Sequence, residues 1–150
     1  MTERIFEDRT AVVTGGGRGI GRAICQMLAE RGARVAVNFE RNQQAADETI
    51  SMIAGQAERA MAVQADVSES AAVDRMMRAV REQLGPIDFL INNAGIATTT
   101  SHHDLKYEDW RRMFDINVDG PFLTTWAVKD EMIERQFGRI VNVSSLAGIK

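Results

Sequence analysis

Two rhythms of apolar residues alternate along this chain. The first is a short, near-continuous apolar run closed by glycine or polar residues, the pattern of a strand buried on both faces. It occurs in "TAVVTG" (Thr10–Gly15), "RVAVNF" (Arg34–Phe39), "RAMAVQAD" (Arg59–Asp66), "IDFLIN" (Ile87–Asn92) and "RIVNV" (Arg139–Val143). The second rhythm places apolar residues three and four apart and predicts amphipathic helices. After the first strand come Ile20, Ala23, Ile24, Met27 and Leu28, with Gly32 as a stop. "QQAADETISMIAG" predicts a second helix ending near Gly55. Ser68 is expected to cap a third, whose apolar face is Val73, Met76, Met77, Val80 and Leu84, ended by Gly85–Pro86. "NAGIATTTSHHDL" is a polar loop, and a long helical stretch follows from Tyr107 to Gln136, kinked near Gly120–Pro121.

Strand and helix thus alternate from end to end. That order predicts an α/β fold: a doubly wound parallel sheet of Rossmann type, with helices on both faces. Right-handed crossovers leave few other topologies. In such a sheet the ligand cleft lies above the strand C-termini, here between the first and fourth strands.

Bulk properties add limits. The 150 residues suit one domain, and 45% hydrophobic with 26% charged is ordinary globular composition. The net charge of -3 offers no basic surface for nucleic acid or for an anionic membrane. Cys25 is the only cysteine, so no intrachain disulfide can form, which suits a reducing compartment. "MTERIFEDRT" has no apolar signal core, and no apolar run is long enough to cross a bilayer, so a cytoplasmic protein is expected. His102 and His103 are adjacent and lack a third spaced ligand, so no metal site is expected. Trp110, Trp126 and the methionines read as packing residues.

Candidate chemistry sits where strands end. "TGGGRGIG" (Thr14–Gly21) joins a strand to a helix, and Gly15, Gly19 and Gly21 give the spacing G-x-x-x-G-x-G. Glycines there permit a tight turn, close approach of backbone to a pyrophosphate and close helix–sheet packing, while the helix N-terminus attracts the anion. Gly16 and Gly17 read as simple turn residues. No Gly-Lys-Ser/Thr follows, which excludes a P-loop. Asp66 ends the third strand, where it can bond an adenine amino group or cap the next helix. "INNAGI" (Ile91–Ile96) lies across the expected cleft; Asn92 and Asn93 can tie loops together, and Ala94 and Gly95 leave room for a ligand. Ser144 and Ser145 follow the fifth strand. An acid about 20 residues past the glycines marks NAD sites. Phe39 falls there, with Glu40 and Arg41 next. Arg18 and Arg41 suit a 2′-phosphate and favour NADP; Glu40 favours NAD if it is the one that points inward.

Taken in order, "TGGGRGIG", Asp66–Val67, "NNAG" (Asn92–Gly95), "DINVDGPF" (Asp115–Phe122) and "GRIVNVSS" (Gly138–Ser145) resemble the classical short-chain dehydrogenase/reductase family over nearly the whole chain. The flavour is similar to β-ketoacyl carrier-protein reductases and acetoacetyl-CoA reductases. The resemblance implies hydride transfer between a nicotinamide cofactor, NADP first and NAD second, and a small carbonyl substrate such as an acyl thioester. It implies that Gly15, Gly19, Ile20 and Gly21 shape the cofactor loop, Arg18 sits by the adenosine phosphate, and Asp66 and Val67 hold adenine. Asn92, Asn93, Ala94 and Gly95 would line the ribose or support the central strand. Asn117 would anchor a proton-relay water, and Ser145 would be the catalytic serine. A Tyr-x-x-x-Lys pair is also implied, but the only tyrosine is Tyr107, with Arg111 four residues on. The expectation is therefore a chain cut short of the family fold and inactive alone. The alternative is a non-catalytic dinucleotide-binding or regulatory protein of the same fold. A nucleotide-sugar or methyltransferase-type Rossmann domain fits "NNAG" and the double serine poorly. A homodimer or homotetramer is implied, packed through the long helix.

Overall fold

Each apolar run becomes a strand of one parallel sheet. In the computed structural model, which describes residues 3–53, 55 and 60–145, the strands are β1 (Thr10–Val13), β2 (Arg34–Phe39), β3 (Ala60–Gln64), β4 (Ile87–Asn92) and β5 (Arg139–Asn142). Their order is β3-β2-β1-β4-β5, all parallel, so the chain reverses its winding between β1 and β4. The connecting helices are α1 (Gly19–Glu30), α2 (Gln43–Met52), α3 (Ser70–Leu84), α4 (Tyr107–Phe114) and α5 (Gly120–Glu134), with a π-helical turn at Asp115–Asp119.

Cover on both faces explains the continuous apolar runs of β1, β2 and β4, whereas β5, expected to be buried, is exposed along its length because no described element packs beyond it. Alternate residues point to opposite sides. Val12 and Ala36 therefore join Met76, Met77, Val80 and Val128 under α3 and α5, while Ala11, Val13, Val35 and Val37 join Cys25, Leu28 and Ala46 under α1 and α2. At the N-terminal edge of the sheet, buried Asp88 accepts from the Thr10 amide at 3.0 Å and from Arg135 Nη1 at 2.9 Å. This anchors the end opposite the cleft.

Several expected boundaries shift. β1 stops at Val13 because Thr14 already belongs to the loop above it. α2 ends at Met52, and Asn42 caps it by accepting from the Ala45 amide at 3.0 Å. Arg59, the expected start of the third strand, lies outside the described residues. Ser68 is not the cap of α3: Glu69 occupies that position without a side-chain bond, because the Ser68 hydroxyl is committed to Asp66 Oδ1 at 2.6 Å. The long helix breaks before Gly120–Pro121 rather than at it. Pro121 lies in the first turn of α5, where no N–H donor is needed. Among the described residues no helix is long and apolar enough to span a membrane.

Candidate functional site

The loops above the C-terminal ends of β1 to β4 enclose a cleft of about 580 Å³. It opens at the point where the strand order reverses, the usual ligand position in open α/β sheets. Gly15, Arg18, Gly19, Ile20 and Gly21 line one wall. Arg41, Asp66 and Val67 line the end over β2 and β3, and Asn93, Ala94 and Gly95 the wall over β4. A second hollow, of about 720 Å³, lies over α2, but residues of that single helix form it and no two elements converge there.

The glycine loop is shaped by what surrounds it. Gly19 has φ of 53°, a left-handed conformation that disfavours side chains. A Cβ on Gly21 would overlap the Gly15 carbonyl oxygen and come within 2.5 Å of Asn93 Nδ2. Gly16 is not a simple turn residue: a Cβ there would stand 2.9 Å from Cys25 Sγ, so the glycine lets α1 close on the loop. Burial pushes the Cys25 thiol up to about 12, which leaves it protonated and packed. Arg18 occupies the N-cap of α1 without a side-chain cap bond, so the first-turn N–H groups face the cleft mouth. Among the described residues nothing pairs with its guanidinium.

Three polar side chains, Thr14, Asn93 and Asn38, hold this loop against its neighbours. Thr14 Oγ1 accepts from the amides of Asn93 at 3.0 Å and Ala94 at 2.9 Å, and Asn93 Nδ2 donates back to Thr14 O at 3.0 Å. Buried Asn38 accepts from the Gly15 amide at 3.3 Å and donates to the Ala65 carbonyl at 3.1 Å. Asn38 is not among the expected site residues; its signal in the sequence is a single polar residue inside an apolar strand. Asn92 does not reach the cleft. It is buried, donates to Asn142 Oδ1 at 2.9 Å and accepts from Thr124 Oγ1 at 2.7 Å, tying β4 to β5 and α5.

Asp66 sits in a network. Its Oδ1 accepts from the Ser68 amide at 2.9 Å as well as from the hydroxyl, and its Oδ2 accepts from Arg112 Nη2 at 2.7 Å. Burial pushes its carboxyl up, but the Ser68 bonds and the Arg112 guanidinium outweigh this and hold it below the usual carboxylate range. The Asp66 bond raises Arg112 in turn, against burial, with help from the charges of Asp66, Glu40 and Asp115. Arg41 is largely exposed and lies 3.0 Å from Glu40 Oε1.

Neither residue of the expected catalytic pair lines the cleft. Asn117 lies in the π-helical turn, a form frequent at functional sites. Its Oδ1 accepts from the Ile96 amide at 2.9 Å and its Nδ2 donates to the Ile96 carbonyl at 2.8 Å, which fixes the loop after β4 against the turn. Ser145 is exposed beyond β5, at the same edge of the sheet, but does not line the cleft. The residues after it, 146–150, lie outside the described residues. Tyr107 opens α4 with its ring on Trp110 and does not line the cleft either. Among the described residues no three potential metal ligands gather.

A family model described as short chain dehydrogenase matches residues 9–150. The chain belongs to the short-chain dehydrogenase family. A 3-oxoacyl-[acyl-carrier-protein] reductase of Synechocystis is 40% identical over 141 residues, covering 94% of this chain and 57% of that protein. Glucose 1-dehydrogenase 2 of Bacillus subtilis is 34% identical, covering 92% and 54%. Among solved structures, a double mutant of a Serratia marcescens short-chain dehydrogenase/reductase superposes with a TM-score of 0.86 at 30% identity, covering 97% of this chain and 58% of that one. The chain spans a little over half the length of the curated relatives it matches. Short-chain dehydrogenases use a nicotinamide dinucleotide. The open backbone at Gly19, where a side chain would meet nothing, the start of α1 lining the cleft, and Arg18, unpaired among the described residues, are features that fit such a ligand.

Proposed function

We propose that this chain is the nucleotide-binding part of an NADP(H)-dependent oxidoreductase that interconverts a ketone and a secondary alcohol. The observation that carries the reading is the convergence of the glycine loop, Asp66–Val67 and Asn93–Gly95 on one cleft at the sheet's switch point. Gly15, Gly19, Ile20 and Gly21 would receive the pyrophosphate at the N-terminus of α1. Arg18 and Arg41 would face the 2′-phosphate, and Asp66 and Val67 would hold adenine. Asn93, Ala94 and Gly95 would bound the ribose on the β4 side.

The nicotinamide would supply the hydride, while the protein supplies position and electrostatics. Reducing a carbonyl builds negative charge on its oxygen, which a hydrogen-bond donor must meet. Ser145 is the side chain assigned to that oxygen, and Asn117 the one that keeps the loop and the turn beside it in register. Relatives named for 3-oxoacyl-[acyl-carrier-protein] support a 3-oxoacyl thioester as substrate. The names of these relatives favour an enzyme over a regulatory protein. A cytoplasmic homodimer or homotetramer completes the reading.

Titration of NADPH by fluorescence tests it. NADPH is expected to bind the protein and to bind at least tenfold more weakly after Arg18→Glu, while NADH changes less. Equal loss for both cofactors would remove Arg18 from the 2′-phosphate, and no binding of either would sink the dinucleotide reading.

A further inference from the structure

The cleft's adenosine end holds two carboxylates, Glu40 after β2 and Asp66 after β3, and both line it. Their counter-charge comes partly from another layer of the fold. α4 carries Arg112 across to them. Its Nη2 donates to Asp66 Oδ2 at 2.7 Å and to Glu40 Oε1 at 3.2 Å, and its Nη1 donates to Ser68 Oγ at 2.7 Å. Glu40 Oε1 also faces Arg41 Nε at 3.0 Å. One oxygen of Glu40 is thus shared between two guanidinium groups. Arg112 itself does not line the cleft.

Glu40 is the acid nearest the place where a ribose 2′-hydroxyl would find its acceptor in an NAD site. A carboxylate oxygen already bonded to two cations is a poor acceptor for a neutral hydroxyl. Its charge toward a 2′-phosphate is also largely compensated. Resting on the dinucleotide reading above, we propose that Arg112 is a positioning residue for cofactor choice. By pinning Glu40 to the Asp66 side of the cleft, it suppresses the NAD-type acid and leaves the 2′ position to Arg18 and Arg41. Discrimination between NADPH and NADH then depends on a side chain of α4 that touches neither cofactor.

The loss of Arg112 has a specific signature. Glu40 would keep only Arg41 as partner, drawing that cation away from a 2′-phosphate and bringing its own charge and acceptor oxygens toward the 2′ position, where they repel a phosphate and accept from a hydroxyl. A role confined to holding α4 on the sheet would instead loosen the whole site and weaken both cofactors together.

A double-mutant cycle separates the two, read as dissociation constants for NADPH and NADH by fluorescence titration. Arg112→Gln is expected to weaken NADPH tenfold or more and to leave NADH unchanged or tighter. Glu40→Gln alone is expected to change NADPH binding less than threefold. In the double variant Glu40→Gln is expected to recover most of the lost NADPH affinity. Where Arg112→Gln does not fold, by its thermal melt, Arg112→Lys runs the same cycle, since it keeps a charge but loses the two-armed grip. Parallel loss of both cofactors with no rescue by Glu40→Gln would overturn the inference and leave the dinucleotide reading standing. Failure of the unmodified protein to bind either cofactor would overturn both.

Discussion

Asp66 shows how one residue serves fold and site together. Its carboxylate takes two bonds from Ser68 and one from Arg112, which leaves room for one more donor on a group whose two oxygens together accept about four. The Ser68 bonds that orient it also lock the turn into α3. Because these bonds favour the charged form, folding lowers its affinity for protons. The resulting stability is present above the ordinary value of 3.8 and is lost as pH falls through the lower, folded value. Asp66→Asn is expected to cost about 2 kcal/mol at pH 7, the scale of hydrogen bonds to a charged group. In urea unfolding, the gap between wild type and Asp66→Asn should stay level from pH 7 to 5 and close below pH 3.8. A gap independent of pH would show that the carboxylate charge contributes nothing there.

At the scale of elements, the first helix and the loop before it form one unit. Gly21 lies where α1 crosses the Gly15 carbonyl and Asn93, and a methyl group has nowhere to go. Gly21→Ala is expected to destabilise by about 3 kcal/mol, the upper range for overpacking, and to abolish nucleotide binding. Thermal unfolding and NADPH titration of the same preparation check both effects. A stable variant that binds normally would mean that α1 can slide on the sheet. The central strands β1, β2 and β4 are legible because burial on both faces leaves a continuous apolar run that no helix of this length imitates. The glycine loop was legible because its position between strand and helix restricts what glycines can be doing. Arg112 was not. Its partners are 44, 46 and 72 residues away, and nothing in a helix's mixed face announces pairings that distant. The π-helical turn was missed for a related reason. Gly120–Pro121 is the visible breaker, whereas the widened turn lies just before it and carries Asn117 onto Ile96, a contact that only the folded loop creates.

At the scale of the molecule, exposed apolar residues group in two places among the described residues. One runs along α4 and α5, where Trp110 packs on Phe114 with ring centres 4.5 Å apart and Phe122 stacks on Trp126 at 4.1 Å. All four rings stay substantially exposed, with Phe122 at 51% and Trp126 at 54%. The other is the outer edge of β5, with Ile140, Val141 and Val143 exposed and, among the described residues, no further strand paired to it. The two predict different kinds of association. Paired aromatics on rigid helices suit a closed, stoichiometric contact between copies of the chain. An open strand edge recruits other chains without a fixed number. Sedimentation at micromolar concentration is expected to show a discrete dimer or tetramer, which the exposed double substitution Phe122→Glu with Trp126→Glu should convert to monomer without loss of helical signal. Val141→Lys should leave the discrete species intact and reduce only larger aggregates, because a lysine on an edge blocks strand addition. If Val141→Lys dissolves the discrete species and the aromatic substitutions do not, the contact between copies runs through β5, and the helical face must be assigned another role.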